Sequence, residues 1–206
     1  YKSTQGTNTI FFISRDQIPK GRKCTYLRIV CSHKPNKTDK HCVHFCAGGD
    51  RLVYDGDVRV STADITTVKI HVNSTISTPK ARYMTGDVKN FYLGTRKMLI
   101  FEYARFHRKY IPQQIIDPYN LEPLFDQDGF VYVEIQKGMY GLTQAGRLAN
   151  DQLKEILAPY GYRPCRHTPG FWKHDNKPIS FTLIVDDFGV KYVHKTDAED
   201  LMNILR

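Results

Sequence analysis

Two apolar runs, Phe181-Thr182-Leu183-Ile184-Val185 and Phe188-Gly189-Val190, are separated by nothing but Asp186-Asp187. Runs this short and this rich in β-branched and aromatic residues read as strands, so a hairpin with two adjacent carboxylates at its tip is expected. Tight hairpins favour Asn-Gly or Asp-Gly, where positive φ is cheap, and Asp-Asp is neither. The repulsion between the two anions calls for a counter-charge. On these residues alone, a solvated turn and a cation site both stay open.

The neighbouring segments supply a sheet and helices for this hairpin. Tyr162–Cys165, Gly170–His174, Ile179–Val185 and Phe188–Val193 read as strands. A helix is expected from Thr143 to about Pro159, with Ala145, Leu148, Ala149, Leu153, Ile156 and Leu157 on its apolar side. Thr196-Asp197-Ala198-Glu199 has the form of a capping box opening a last helix. Earlier, the first 24 residues look like an extended lead-in. Thr25–His33 and Lys40–Ala47 form a hairpin around the turn chemistry of Pro35–Asp39. Ser61 or Thr62 is expected to cap a helix burying Ile65, Val68, Val72 and Ile76 and closed by Pro79. Arg82–Val88 reads as a strand, Ile111–Asn120 as a short helix, and Phe130–Gln136 as a half-buried strand of period two. Strands and helices in this order predict an α+β fold rather than a doubly wound sheet.

With 206 residues, 41% of them apolar, the chain can bury a real core, which excludes disorder as its dominant state. No apolar run approaches the roughly 20 residues of a membrane helix, so no membrane association is expected. Nothing after Tyr1 resembles a signal peptide, and a piece of a longer protein is expected. Five cysteines, an odd number in a chain of this size, argue for reduced thiols and an intracellular location. Charge is uneven: residues 1–110 hold 20 Lys/Arg against 8 Asp/Glu, a net +12, and the remainder holds 10 against 13, a net −3, which together give the overall +9. The basic half suits nucleic acid or nucleotide phosphates.

A third carboxylate, Asp87, ends a separate strand. Asp87, Asp186 and Asp187 together would offer hard oxygen ligands to two Mg²⁺ ions, or to Mn²⁺ in their place, the equipment of nucleotidyl transfer. Thr85-Gly86-Asp87-Val88-Lys89-Asn90-Phe91-Tyr92, Lys137-Gly138-Met139-Tyr140-Gly141-Leu142-Thr143-Gln144-Ala145 and Ile184-Val185-Asp186-Asp187 follow in order. In that order and spacing they resemble three motifs of copia-type retrotransposon reverse transcriptases. The resemblance implies an RNA-directed DNA polymerase cut from a polyprotein, acting on an RNA or DNA template with a primer and on dNTPs.

By the same resemblance, residues 1–80 and 96–143 would be fingers, and 81–95 with 144–206 a palm: an antiparallel sheet backed by helices. The thumb would be absent. Asp87, Asp186 and Asp187 would be catalytic, with Asp87, Asp186 and the backbone carbonyl of Val88 binding metal. The N–H groups of Asn90 and Phe91 would hold the triphosphate, Tyr92 would exclude a 2′-hydroxyl, and Gln144 would line the nucleotide. Met139, Tyr140 and Leu142 read as packing, and Trp172 as core.

One segment departs from the family. Cys42 and His44 stand where two cations usually face the triphosphate, leaving Arg28, Lys34 and Lys40 to substitute. A degenerate, noncatalytic relative is therefore an alternative. So is a zinc-assisted nucleic-acid-binding module, with Cys42, His44 and Cys46 on one strand face and Cys31, His33 and His41 nearby, although same-face strand positions are spaced widely for one ion.

Overall fold

The computed structural model describes residues 6–35 and 40–205. Along the chain run β1 (Ile10–Ile13), β2 (Cys24–His33), β3 (His41–Ala47), α1 (Ile65–Ile76), β4 (Arg82–Asp87), β5 (Glu102–His107), α2 (Gln113–Ile116), β6 (Phe130–Ile135), α3 (Ala145–Leu157), β7 (Tyr162–Pro164), β8 (Phe171–His174), β9 (Ile179–Ile184), β10 (Asp187–Tyr192) and α4 (Lys195–Ile204). Among the described residues the fold is α+β, with two five-stranded sheets.

The chain divides into two units, 1–58 with 92–148, and 59–91 with 149–206. The first carries the sheet β1-β6-β5-β2-β3, antiparallel except for the β2–β5 pair. Ala104, Phe106, Val131, Val133, Ile135, Met139 and Leu142 form the core of this unit. The second carries the wholly antiparallel sheet β4-β10-β9-β8-β7. One face of that sheet, with Trp172, Phe181, Leu183, Phe188 and Val190, packs on Leu153 and Leu157 of α3 and on Ala198 and Leu201 of α4. Trp172 is a core residue, its ring stacked on Phe181 at 5.4 Å.

Several expectations are corrected. The lead-in contains β1, an edge strand on β6, and β5 replaces a stretch without visible pattern. Four residues are too few for a period, and β5 buries side chains on both of its faces, which erases the alternation. Tyr132 is buried as well, so β6 is covered on both faces. The cap of α1 is Asp64, whose carboxylate accepts from the Thr67 N–H at 2.6 Å, not Ser61 or Thr62. Its apolar stripe does not form the contact: Ile65 and Ile76 are 64% and 83% exposed, and the buried residue is His71. The capping box at Thr196 is absent too. Helix α4 begins after His194, and Glu199 pairs with Lys195 at 2.9 Å instead.

Along the chain the two units change over after residues 58, 91 and 148. Helix α1 groups with the second unit because the segment before it is hydrogen-bonded there. The Ala63 N–H donates to the Leu183 carbonyl, and Lys191 Nζ donates to the Ser74 carbonyl. Of the turn Pro35–Asp39, residues 36–39 lie outside the described residues.

Candidate functional site

Strand β4 ends at Asp87 and β10 begins at Asp187, and these two are directly paired in the antiparallel ladder. Asp187 also pairs with Ile184 across the hairpin, so Val185 and Asp186 are the two linking residues. Val185 takes φ +58. For a β-branched side chain that is an outlier costing on the order of 1–3 kcal/mol, of the kind that gathers at functional sites. The Val88 N–H donates to the Asp186 carbonyl at 3.2 Å, tying the end of β4 to the hairpin tip. The result is convergence: one carboxylate oxygen from each of Asp87, Asp186 and Asp187 lies within 4.8 Å of the others. Asp87 and Asp187 are exposed and Asp186 half-buried.

Three oxygen donors at this spacing suit a hard divalent cation, and like charges held this close disfavour the site without one. Asp87 and Asp187 have no ion-pair partner among the described residues. The surroundings differ on the two sides. On one, Gly86, Lys89, Met202 and Leu205 line the cleft that holds Asp87. On the other, Val68 and Val72 of α1 line a second cleft together with Thr85, Thr182 and Asp187. The two valines were legible only as helix core, because nothing in a helical stripe says which surface it faces.

Further along that same sheet face, α1 inserts His71. Its Nε2 lies 3.0 Å from the Ser180 hydroxyl, and its ring meets Tyr83 and Phe171 edge-on. Burial, with Lys191 nearby, lowers its pKa to about 4.

The remaining predicted residues divide between the units. Val88 and Phe91 pack partly against the core of the second unit, and exposed Asn90 has φ +58 in the turn between them. Tyr92 belongs to the first unit, half-buried, with its ring edge-to-face on Tyr140 at 5.1 Å. Tyr140 meets His44 in the same way at 5.4 Å. Two glycines of the same motif permit this. A side chain at Gly138 would press on the Tyr92 carbonyl, and one at Gly141, where φ is +89, would overlap the Ala47 carbonyl. The Lys137–Leu142 stretch is thus a platform under Tyr92, built by close backbone approach.

Gln144, expected to line the nucleotide, has a buried partner. It is 3% exposed, and its amide donates to the Glu102 carboxylate at 3.1 Å. Arg28, Lys34 and Lys40 are exposed on the β2–β3 hairpin, and the Lys34 N–H donates to the Lys40 carbonyl.

Register divides the soft ligands between two faces. Arg28 pairs with Cys46, Val30 with His44 and Ser32 with Cys42, placing these on one face. Cys31, His33 and His41 lie on the other, since side chains alternate along a strand. Among the described residues, the three aspartates are the one set of three or more such groups that converges for a metal.

No family model matches the chain. Among solved structures, the telomerase from Candida albicans in complex with a TWJ fragment of telomeric RNA is similar at a TM-score of 0.48 and 10% identity, over 96% of this chain. The chain spans 40% of the length of that protein.

Proposed function

We propose that this chain is the nucleotidyl-transfer portion of a reverse transcriptase of the copia type, extending a primer with dNTPs on an RNA or DNA template. The observation that carries the reading is the convergence of Asp87, Asp186 and Asp187 from two different strands. In this reading the second unit is palm and the first is fingers. Asp87 and Asp186, with the Val88 carbonyl, hold two Mg²⁺ or Mn²⁺ ions, a role that suits an all-oxygen donor set with a partly open face. When bound, such ions supply Lewis acidity for the primer 3′-hydroxyl and charge compensation for departing pyrophosphate.

The chain's own groups do the rest. The N–H groups of Asn90 and Phe91 donate to phosphate oxygens, Arg28, Lys34 and Lys40 add positive charge, and Tyr92 restricts the sugar. Tyr140 and Gly138 keep Tyr92 in place, so their part is positioning. For Gln144 the buried contact with Glu102 favours an indirect part, bracing the start of α3.

Primer extension on an RNA template with Mg²⁺ tests this. Incorporation by the wild type, abolished by Asp186→Asn, is the expected result. Loss of Mn²⁺ binding, read by water-proton relaxation, should follow from either Asp87→Asn or Asp186→Asn. Mn²⁺ binding indifferent to both substitutions would overturn the assignment.

A second reading has its own observation. At the two usually cationic positions Cys42 is a free thiol and His44 packs on Tyr140. A chain that binds Mn²⁺ at the aspartates but neither binds dNTPs nor extends a primer, and regains dNTP binding on Cys42→Arg with His44→Arg, is the noncatalytic relative.

A further inference from the structure

A cleft of opposite charge lies in the first unit. Arg15, from the turn after β1, Arg22, from the segment before β2, Arg51, from the turn after β3, and Arg105 of β5 line it together with Cys24 and Tyr132. Arg105 stands in register between Tyr26 of β2 and Tyr132 of β6. It occupies the face of the sheet opposite the core residues Ala104 and Phe106. Four guanidinium groups from four places in the chain meet there only because the chain folds.

Their charges are only partly neutralised from within. Glu102 takes Arg22 at 2.8 Å. Asp126 accepts from the Tyr132 hydroxyl and from the N–H groups of Phe130 and Asp128 and lies near enough to Arg15 to be held down by its charge, and Asp50 accepts from the Tyr26 hydroxyl. Among the described residues Arg15, Arg51 and Arg105 have no ion-pair partner, and all three are exposed. Arg22 Nε is buried with no hydrogen-bond partner. Two of the guanidinium groups rest on rings, Arg105 4.5 Å from the Phe130 centroid and Arg51 4.9 Å from that of Tyr26. A guanidinium laid flat on a ring keeps its N–H edge for a bidentate acceptor, which is phosphate geometry.

We propose that this cleft binds a phosphodiester of a nucleic-acid strand, at a site distinct from the aspartate cluster in residues and in charge. Arginine rather than lysine throughout, guanidinium groups held over rings and an excess of two positive charges over Glu102 and Asp126 favour a phosphate over a carboxylate. The net +12 of residues 1–110 favours a polyanion over a lone ion.

The test is fluorescence anisotropy of a labelled single strand of about 20 nucleotides against the whole chain over a range of salt. Arg51→Gln and Arg105→Gln should each weaken binding about 3-fold or more. Each should also reduce the slope of log affinity against log salt by about 0.7, the share of one phosphate on a single strand. Lys20→Gln removes the same charge outside the residues lining the cleft and should leave the slope unchanged. Arg105→Lys should keep the slope while losing part of the affinity.

An equal loss in Lys20→Gln would mean a diffuse field and overturn the proposal. So would unchanged strand binding in arginine variants whose melting matches wild type. Inorganic pyrophosphate that displaces the strand at micromolar concentration would assign the cleft to free phosphates instead, overturning the strand assignment. Because every readout is binding, a catalytically silent chain leaves this test intact.

Discussion

Asp87 and Asp187 face each other as a directly paired couple at the shared end of β4 and β10. Like charges in opposed positions destabilise a sheet by about 0.2–1 kcal/mol, and Asp186 lies within reach of both. Without divalent cation, Asp187→Asn should therefore melt about 0.2–1 kcal/mol more stable than wild type. Added Mg²⁺ should raise the wild-type Tm in proportion to log concentration and raise that of Asp87→Asn far less. Thermal melts with and without Mg²⁺ check both. A variant that gains as much as wild type from Mg²⁺ would place the ion elsewhere.

Val185 holds φ +58 with a β-branched side chain that is 39% exposed, so little packing is at stake. Asn adopts this region with much less strain. Val185→Asn should raise stability by about 1 kcal/mol, read as a higher urea midpoint at unchanged m-value. If the strain orients Asp186, the same substitution should weaken Mn²⁺ binding while stabilising the chain.

His71 is 4% exposed, and its pKa of about 4 has two causes, first its burial and then the nearby Lys191 ammonium. An unfolded His titrates near 6.5, so between pH 6.5 and 4 the unfolded chain binds the extra proton. Stability is then full above about pH 6.5 and falls through that window toward pH 4, by up to about 3 kcal/mol. His71→Gln keeps a donor for Ser180 and should remove most of that slope. A Tm profile over pH 4–7 for both proteins decides it, and equal slopes would assign the acid sensitivity to other groups.

Gln144 donates to Glu102, whose pKa burial raises while Arg22 and Gln144 pull it down. Gln144→Met keeps the volume and removes the donor, so it should cost about 1.5–3 kcal/mol, the range for hydrogen bonds to charged groups. If Gln144 braces the fold without touching nucleotide, dNTP affinity measured well below the melting range should stay at the wild-type value. A selective loss of dNTP affinity at unchanged stability would restore the lining role.

Much of this was legible locally. Ile179–Ile184 was visible because its composition is strongly β-forming, and Arg82–Asp87 and Asp187–Tyr192 were legible to within one residue at each end. Helix α3 was visible because its apolar positions recur at helical spacing. Strand β1, strand β5 and the exposed stripe of α1 were not. β1 takes its partner more than 100 residues away, β5 buries Tyr103 as well as Ala104 on its opposite face, and α1 turns a histidine inward toward Ser180 where its isoleucines were expected.

The chain's own sequence determined that two adjacent aspartates interrupt a β-hairpin, that a third ends another strand, and that positive charge gathers in the first 110 residues. These follow from residue type and near-neighbour spacing. Only the tertiary structure decided that Asp87 pairs with Asp187, and that Cys31 and Cys42 point to opposite faces. It alone decided that Gln144 is buried on Glu102 and that Arg15, Arg22, Arg51 and Arg105 share a cleft. Each of these depends on strand order and register, set by long-range packing of the two cores, which no local window of sequence contains.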